Sequence, residues 1–180
     1  MSASSDPALD LAGLRRLLAR VGRLLELPED ELTTPRPEVS SWSVGQHLFH
    51  LVLAGDLSLR NVKSLVARRG RLIRDFEQRD EEGLAILRRG RIPRGVAPAP
   101  RFVTPPPRLD LDVLRDLFAD VSKALDEIEA DPEGLASAPQ GIPHQLLGDL
   151  DAREWVRFAR VHTAHHLAIC RDLRASAGAR

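Results

Sequence analysis

The stretch WVRFARVHTAHHLAIC, residues 155–170, decides the fold class of this 180-residue chain. Apolar side chains recur in it at the spacings of three and four that place residues on one face of an α-helix. This apolar stripe consists of Trp155, Phe158, Ala159, Ile169, Cys170 and, just beyond the stretch, Leu173. His162 and His166 are four residues apart and fall at the centre of the stripe, whereas the arginines lie largely away from it. The pattern predicts an amphipathic helix that turns two imidazoles toward a protein core.

The two central histidines need polar partners in that core. An unsatisfied buried polar group costs roughly 1–3 kcal/mol, and a metal ion bound by both His162 and His166 would satisfy the pair together. The alternative is that each ring is an ordinary core residue, bonded to a backbone carbonyl or a carboxylate. His165 lies roughly 60–80° away around the helix, so we expect it at the helix flank and not among the ligands.

A third ligand must come from elsewhere in the chain, and the remaining histidines are His47, His50 and His144. His47 and His50 lie three residues apart in a helical run whose apolar residues extend from Leu48 to Leu59. Such a run predicts a helix that is buried on most sides. The two histidines differ by only about one-sixth of a turn, and periodicity does not choose between them.

Two segments of the chain resemble the DinB/YfiT-like superfamily. Trp42-Ser43, followed by Gln46, Leu48, His50 and Leu51, is similar to the helix-2 signature of that superfamily, in which a Trp-Ser opening leads eight residues later to a ligand His followed by Leu. The segment from residue 144 to the His-Thr-Ala-His-His-Leu run at residues 162–167 resembles its last helix. Together the two segments cover about a third of the chain. The resemblance implies a metal site made by His50, His162 and His166.

One branch of the superfamily carries a His-Pro-x-Phe-Gly motif before the last helix. The equivalent here is His144-Gln-Leu-Leu-Gly148, which keeps the His and the Gly but lacks the Pro and the Phe. We expect His144 to be a loop imidazole that caps backbone groups near the mouth of the bundle. A role in binding substrate or in supporting a ligand is the alternative.

Four long helical patterns alternate with loops that are rich in proline and glycine. We predict helices from Asp6-Pro7 to residue 25, from the Ser43–Gln46 capping pattern to about residue 69, over about 109–130, and from the Asp151–Glu154 cap onward. Residues 71–89 are predicted to hold one or two short helices, residues 90–107 to form a long surface connection, and a second long loop to reach residue 150. The prediction is a single all-α domain over residues 1–180, a four-helix bundle. The resemblance implies an up-up-down-down topology.

Three neutral imidazoles leave one position open on a tetrahedral metal, which is typical of catalytic zinc. Zinc is the favoured metal, and nickel, iron and manganese remain alternatives. The resemblance implies either a transferase or isomerase that uses a low-molecular-weight thiol, or a metal-dependent hydrolase. The competing hypotheses are a non-catalytic metal-binding or dimerising bundle and a histidine cluster without metal.

Other residues near these motifs have a weaker claim to function. Cys170 lies one turn beyond His166 and could be a fourth ligand, although a lone cysteine is usually a small buried hydrophobe. Asp56 lies about 120° from His50, so a surface ion pair is favoured over a role as general base. Asn61 lies three turns along the row of His50 and could hold a supporting position.

The composition limits the classes of partner that we expect the protein to bind. The chain has 26 basic and 26 acidic residues and a formal net charge of zero, which disfavours nucleic acid and a polybasic membrane surface. The N-terminal residues lack a signal-peptide pattern, and no run reaches the roughly 20 apolar residues of a membrane span. A single cysteine fits a reducing compartment. We therefore expect a cytoplasmic protein that acts on a small molecule, and a homodimer by analogy with the superfamily.

Overall fold

Four long helices form the body of the protein. The computed structural model describes residues 6–76, 80–95 and 98–177. The long helices are α1 (Pro7–Leu25), α3 (Val44–Ala67), α5 (Leu111–Glu129) and α7 (Ala152–Ala177). The connections contain α2 (Glu29–Thr33), α4 (Glu81–Arg89), a 3-10 turn (Arg101–Val103), α6 (Pro132–Ser137) and a two-stranded antiparallel hairpin of β1 (Ile142–His144) and β2 (Gly148–Leu150). The predicted all-α fold is confirmed.

Each long helix begins at a polar capping residue that the sequence predicts. The Ser43 hydroxyl accepts the backbone N–H of Gln46 at 3.3 Å, and the Gln46 side chain accepts the N–H of Ser43 at 3.0 Å. Asp151 and Glu154 make the same reciprocal pair at the start of α7, at 2.7 and 2.9 Å. Each pair satisfies N–H groups that a helix leaves without an internal partner. Asp6 and Asp110 cap α1 and α5 in a similar way.

The apolar stripes of the four helices meet in one continuous core. α3 packs most extensively against α7 and also against α5, whereas α1 packs against α7 and less against α5. Two diagonal pairs therefore remain, α1 with α3 and α5 with α7. The largest fully buried side chains include Val21 of α1, Leu48, Leu51, Leu59 and Leu65 of α3, Leu114 and Leu125 of α5, and Leu173 of α7.

Contacts between α3 and α7 show that these helices are antiparallel. The start of α3 faces the later part of α7, where the Cys170 thiol lies 3.9 Å from the Val44 carbonyl. Two turns further along α3, His50 faces His162, which precedes Cys170 by eight residues. The two helices therefore run past one another, with the histidines on the shared face.

α3 and α5 are parallel neighbours. The Leu109 side chain, just before α5, lies so close over Gly45 that a Cβ there would come within 2.6 Å of it, and Val121 lies beside Gly55 further down both helices. α1 is parallel to α7, because Asp10 near the start of α1 binds Arg160 near the start of α7, and the ends of both helices also lie side by side.

The order of directions is thus up-down-down-up, and the expected up-up-down-down order is wrong. The segment between α1 and α3 stays at one end of the bundle, where α2 packs against the start of α3. α3 must therefore return in the direction opposite to α1. The 43 residues between α3 and α5 cross the length of the bundle and allow α5 to run parallel to α3.

The connections are more structured than the sequence suggested. Within the described residues, residues 71–89 contain one short helix, α4, and residues 90–107 contain only the 3-10 turn, in agreement with the prediction. The predicted loop before α7 instead contains α6 and the hairpin. The carboxylate of Asp149 is fully buried in β2 and accepts two N–H groups from Arg74, at 2.7 and 3.1 Å.

Among the described residues, no helix has both the length and the apolar character that a bilayer span requires.

A buried carboxylate joins α1 to α7. The Asp10 side chain is 5% exposed and binds the guanidinium groups of Arg160 at 2.6 Å and Arg157 at 3.3 Å. Arg157 also donates to the carbonyls of Leu87 and Arg88 at the end of α4, at 2.6 and 3.2 Å. One ionic cluster therefore holds three helices together.

Replacing Asp10 with Ala should destabilise the protein by about 2–3 kcal/mol, somewhat below the roughly 3–5 kcal/mol expected when one partner of a fully buried pair is removed. The reason is that two partly buried guanidinium groups lose their counter-ion. Urea denaturation followed by circular dichroism measures the change.

The control is Asp126→Ala, which breaks an ion pair with Arg15 that is largely exposed on both sides. This change should cost less than about 1 kcal/mol. Equal losses in the two variants would contradict a structural role for the buried cluster.

Candidate metal centre

α7 places His162 and His166 one turn apart on the face that packs against α3. His166 is 8% exposed and His162 is half-buried. Their ring centroids lie 4.5 Å apart. The inward placement of the two histidines follows from the apolar stripe, because the side chains that surround them on α7 form the core with α3. The predicted placement of these two histidines on the inner face is confirmed.

α3 brings His50 to the same place, and a backbone carbonyl fixes its protonation. The Nδ1 atom of His50 lies 2.8 Å from the carbonyl oxygen of Val103. Because a carbonyl can only accept, Nδ1 must carry the proton. In a neutral ring the lone pair is then on Nε2, which lies 3.2 Å from Nε2 of His162. His50 therefore presents a free lone pair to the second helix.

One ring nitrogen of each of His50, His162 and His166 lies within 4.8 Å of the others. A tetrahedral zinc ion with Zn–N bonds of about 2.0–2.1 Å separates its ligand nitrogens by roughly 3.3–3.4 Å. The 3.2 Å between His50 and His162 is close to that value. Within residues 6–76, 80–95 and 98–177, no further His, Cys, Asp or Glu joins this group. The donor atoms thus fit a divalent metal with three protein ligands and a remaining open position.

Burial keeps these imidazoles neutral. Removal from water lowers the pKa of His50, lowers that of His162 well below its usual value and lowers that of His166 strongly. The neighbouring histidines act in the same direction on His162 and His166, because two nearby positive rings would repel each other. A neutral imidazole is the form that donates a lone pair to a metal, so the site is ready for one at neutral pH.

His47 and His165 flank the three-histidine group without joining it. His47 is 3% exposed, and its Nδ1 lies 2.9 Å from Nδ1 of His166. His165 is half-buried and hydrogen-bonds to the backbone of Ile92, in the connection that follows α4. The flank position predicted for His165 is thus what the structure shows. On α3, a ring nitrogen of His50, and not of His47, lies in the group with those of His162 and His166.

His144 lies in β1 beside α7. Its Nδ1 accepts the backbone N–H of Leu146 at 3.2 Å, in agreement with the predicted capping role. Its ring packs against Trp155 and Phe158, at 5.4 and 4.5 Å between centroids, and Phe158 in turn packs against His162. His144 thus supports one side of the centre through an intervening aromatic ring.

The other residues considered from the sequence lie outside the centre. Cys170 is fully buried, and burial raises the pKa of its thiol to about 12, so it remains a protonated apolar side chain. Asp56 forms an ion pair with Arg60 at 2.8 Å. Asn61 lies 11 residues beyond His50, about 16 Å along the helix axis at 1.5 Å per residue. Cys170 is therefore a buried apolar side chain and Asp56 an ion-pair partner, as the sequence predicted.

Sequence reasoning missed that residues 101–106, called the strap below, cover His50. The 3-10 turn supplies the Val103 carbonyl, and the Gln46 side chain donates to the carbonyl of Pro106 at 3.2 Å. Gln46 thus both caps α3 and holds the strap over the histidines. Trp42 closes the same side, with its ring about 5 Å from His50 and His47. The proline-rich composition predicted an irregular connection, but no residue in it indicated a backbone partner for a histidine.

The chain is thus a helical bundle that holds a three-histidine cluster between two antiparallel helices. The chain belongs to the DinB superfamily, whose family model matches residues 11–170. This match contains almost all of the bundle and all three clustered histidines, and it confirms the resemblance drawn from two short segments. No curated protein and no solved structure gives a significant match to the chain.

Acidification should destabilise the metal-free protein. The pKa of His144 is lowered by burial to about 4, whereas an unfolded histidine has a pKa of about 6.5. Between these two values the unfolded chain binds a proton that the folded chain excludes. The free energy of unfolding therefore falls as the pH drops from about 6.5 to about 4. Urea titrations in EDTA at several pH values in this window measure the slope.

Since carboxylates also titrate in this window, His144→Phe isolates the histidine. The phenyl ring preserves the stack on Trp155 and Phe158 and has no group to protonate. The variant should lose less stability on acidification than the wild type. Identical slopes for the two proteins would show that His144 is not protected from protonation in the folded state.

Proposed function

We propose that the protein is a metal-dependent enzyme that acts on a small-molecule substrate at the His50/His162/His166 centre. The observation that carries the proposal is the convergence of three neutral ring nitrogens from two antiparallel helices, without a fourth acidic, cysteine or histidine ligand among the described residues. Sites with three protein ligands and an open position are typical of catalytic zinc, whereas structural zinc has four.

Zinc is the metal that we favour, and nickel, iron and manganese remain alternatives because imidazole suits all of them. A bound metal would supply Lewis acidity and hold an oxygen or thiolate ligand at the open position. His50 would donate through Nε2, since its Nδ1 proton is committed to Val103. Since His162 is half-buried and His50 and His166 are buried, a substrate would approach on the side of His162.

The reaction that we propose is of one of two types. A low-molecular-weight thiol, held as thiolate at the open position, would make the protein a transferase or isomerase. Water at the same position would make it a hydrolase. Both use the same three histidines and differ in the ligand that occupies the fourth position.

Metal content tests the centre itself. Untagged protein, purified without chelators or metal columns, should contain about one divalent metal per chain by mass spectrometry. The His162→Ala/His166→Ala double variant should contain none, because it loses two of three donors. His165→Ala is the matched control, since it removes a neighbouring imidazole that the cluster does not include, and it should keep the metal. Wild-type protein without metal, even after anaerobic reconstitution, would contradict the proposal.

The open position is tested with cobalt. Cobalt(II) replaces zinc in such sites and reports its ligands in its visible spectrum. Addition of 2-mercaptoethanol or azide to the cobalt protein should change the d–d bands, and the thiol should add a sulfur-to-cobalt charge-transfer band. A spectrum that responds to neither ligand would mean a closed site, and the protein would then be a non-catalytic metal-binding bundle.

A further inference from the structure

His47 is a buried histidine with both ring nitrogens engaged. It lies on α3 one turn before His50 and is 3% exposed. Its Nδ1 is 2.9 Å from Nδ1 of His166, and its Nε2 is 2.9 Å from the hydroxyl of Ser40. The Ser40 hydroxyl also accepts the backbone N–H of Trp42 at 3.2 Å. Ser40, His47 and His166 therefore form a continuous hydrogen-bonded chain from the loop before α3 to the three-histidine group.

The protons in this chain can be arranged in two ways. Each neutral imidazole has one N–H donor and one lone pair. In the first arrangement His166 donates from Nδ1 to His47, and His47 donates from Nε2 to Ser40. In the second, Ser40 donates to His47, and His47 donates from Nδ1 to His166.

Only the first arrangement suits metal binding. It leaves the lone pair of His166 on Nε2, pointing away from His47. The second arrangement places the remaining proton of His166 on Nε2 and removes the lone pair that a metal needs. The first arrangement is also compatible with the Ser40 oxygen, which has two lone pairs and can accept from both Trp42 and His47.

We propose that His47 is a positioning residue, which accepts the Nδ1 proton of His166 and passes the hydrogen-bonded chain on to Ser40, so that Nε2 of His166 faces the metal. The proposal rests on the metal centre proposed above. It gives His166 the same kind of support that the Val103 carbonyl gives His50. Ligand histidines commonly donate their second N–H in this way, and loss of the partner typically weakens metal binding about 10–100-fold.

His47 is better suited to this role than to direct ligation. Its two nitrogens already face Ser40 and His166, and it is not a member of the group whose nitrogens lie within 4.8 Å of one another. The Trp42 ring lies 5.3 Å from its ring and holds it in place. Helical periodicity could not separate His47 from His50, because both belong to the inner face of α3.

The test is a zinc titration of the apoprotein in competition with a chromophoric chelator. His47→Leu removes the acceptor and keeps an apolar side chain in the core, whereas His47→Asn offers an amide oxygen near the position of Nδ1. The Leu variant should still bind one zinc, with a dissociation constant about 10–100-fold higher than the wild type. The Asn variant should recover most of that loss. Ser40→Ala should weaken binding by a smaller factor, and it tests the chain even where the Leu variant does not fold.

A second measurement reads the protons directly. In the zinc-bound wild type, nitrogen-15 NMR of the imidazoles should find His166 protonated on Nδ1 and His47 protonated on Nε2. A merely structural role for His47 would not require this pair of tautomers. His47 protonated on Nδ1 in the zinc protein would overturn the proposal.

The outcomes distinguish a failure of the positioning role of His47 from a failure of the proposed metal centre on which it rests. A wild type that binds no metal would overturn both. Metal bound by the wild type and by His47→Leu with equal affinity would overturn the positioning role alone. Metal that survives His166→Ala but is lost in His47→Leu would also overturn it, because His47 would then be the ligand.

Discussion

The burial of uncharged imidazoles between α3 and α7 is the constraint on which the rest of the structure depends. Each ring in this layer has a donor and an acceptor that must be satisfied without water. The structure supplies partners for the outer nitrogens from Val103, Ser40 and a neighbouring histidine. The inner nitrogens of His50 and His162 have only each other, at 3.2 Å. Nε2 of His50 carries a lone pair, and a cation bound there in place of a proton would also be bound by His162, with a third imidazole from the next turn of α7 completing the group.

The helical bundle is organised to hold this layer. The long crossover between α3 and α5 allows those helices to run parallel, and part of that crossover returns over the start of α3 as a strap that binds His50. The buried Asp10 cluster fixes α7 against α1. The hairpin before α7 packs His144 against the aromatic residues that precede His162. Contacts from several elements therefore fix the positions of the histidines, which is the preorganisation that the proposed metal centre would require.

The sequence predicts the long helices well, because each has a capping residue and a stripe of apolar side chains with helical period. The short elements escaped prediction for the opposite reason. α2 and α6 each bury a single leucine, Leu32 and Leu135. The two strands are only three residues long, and β1 contains Pro143. Local pattern also carries no information on helix direction, which depends on where the connections lie. Residue spacing placed the His162–His166 pair on the inner face, and the resemblance selected His50. The role of His47 depends on the register of α3 against α7, which only the tertiary structure reveals.

We propose that three imidazoles, and no other side chain, bind one metal that keeps an open position. X-ray absorption spectroscopy at the zinc edge of the loaded protein tests this most directly. We expect about three imidazole nitrogens at roughly 2.0–2.1 Å, together with one light ligand from solvent. In protein dialysed free of low-molecular-weight thiols, a sulfur neighbour at about 2.3 Å, which would then come from Cys170, or a full set of four imidazoles would contradict it.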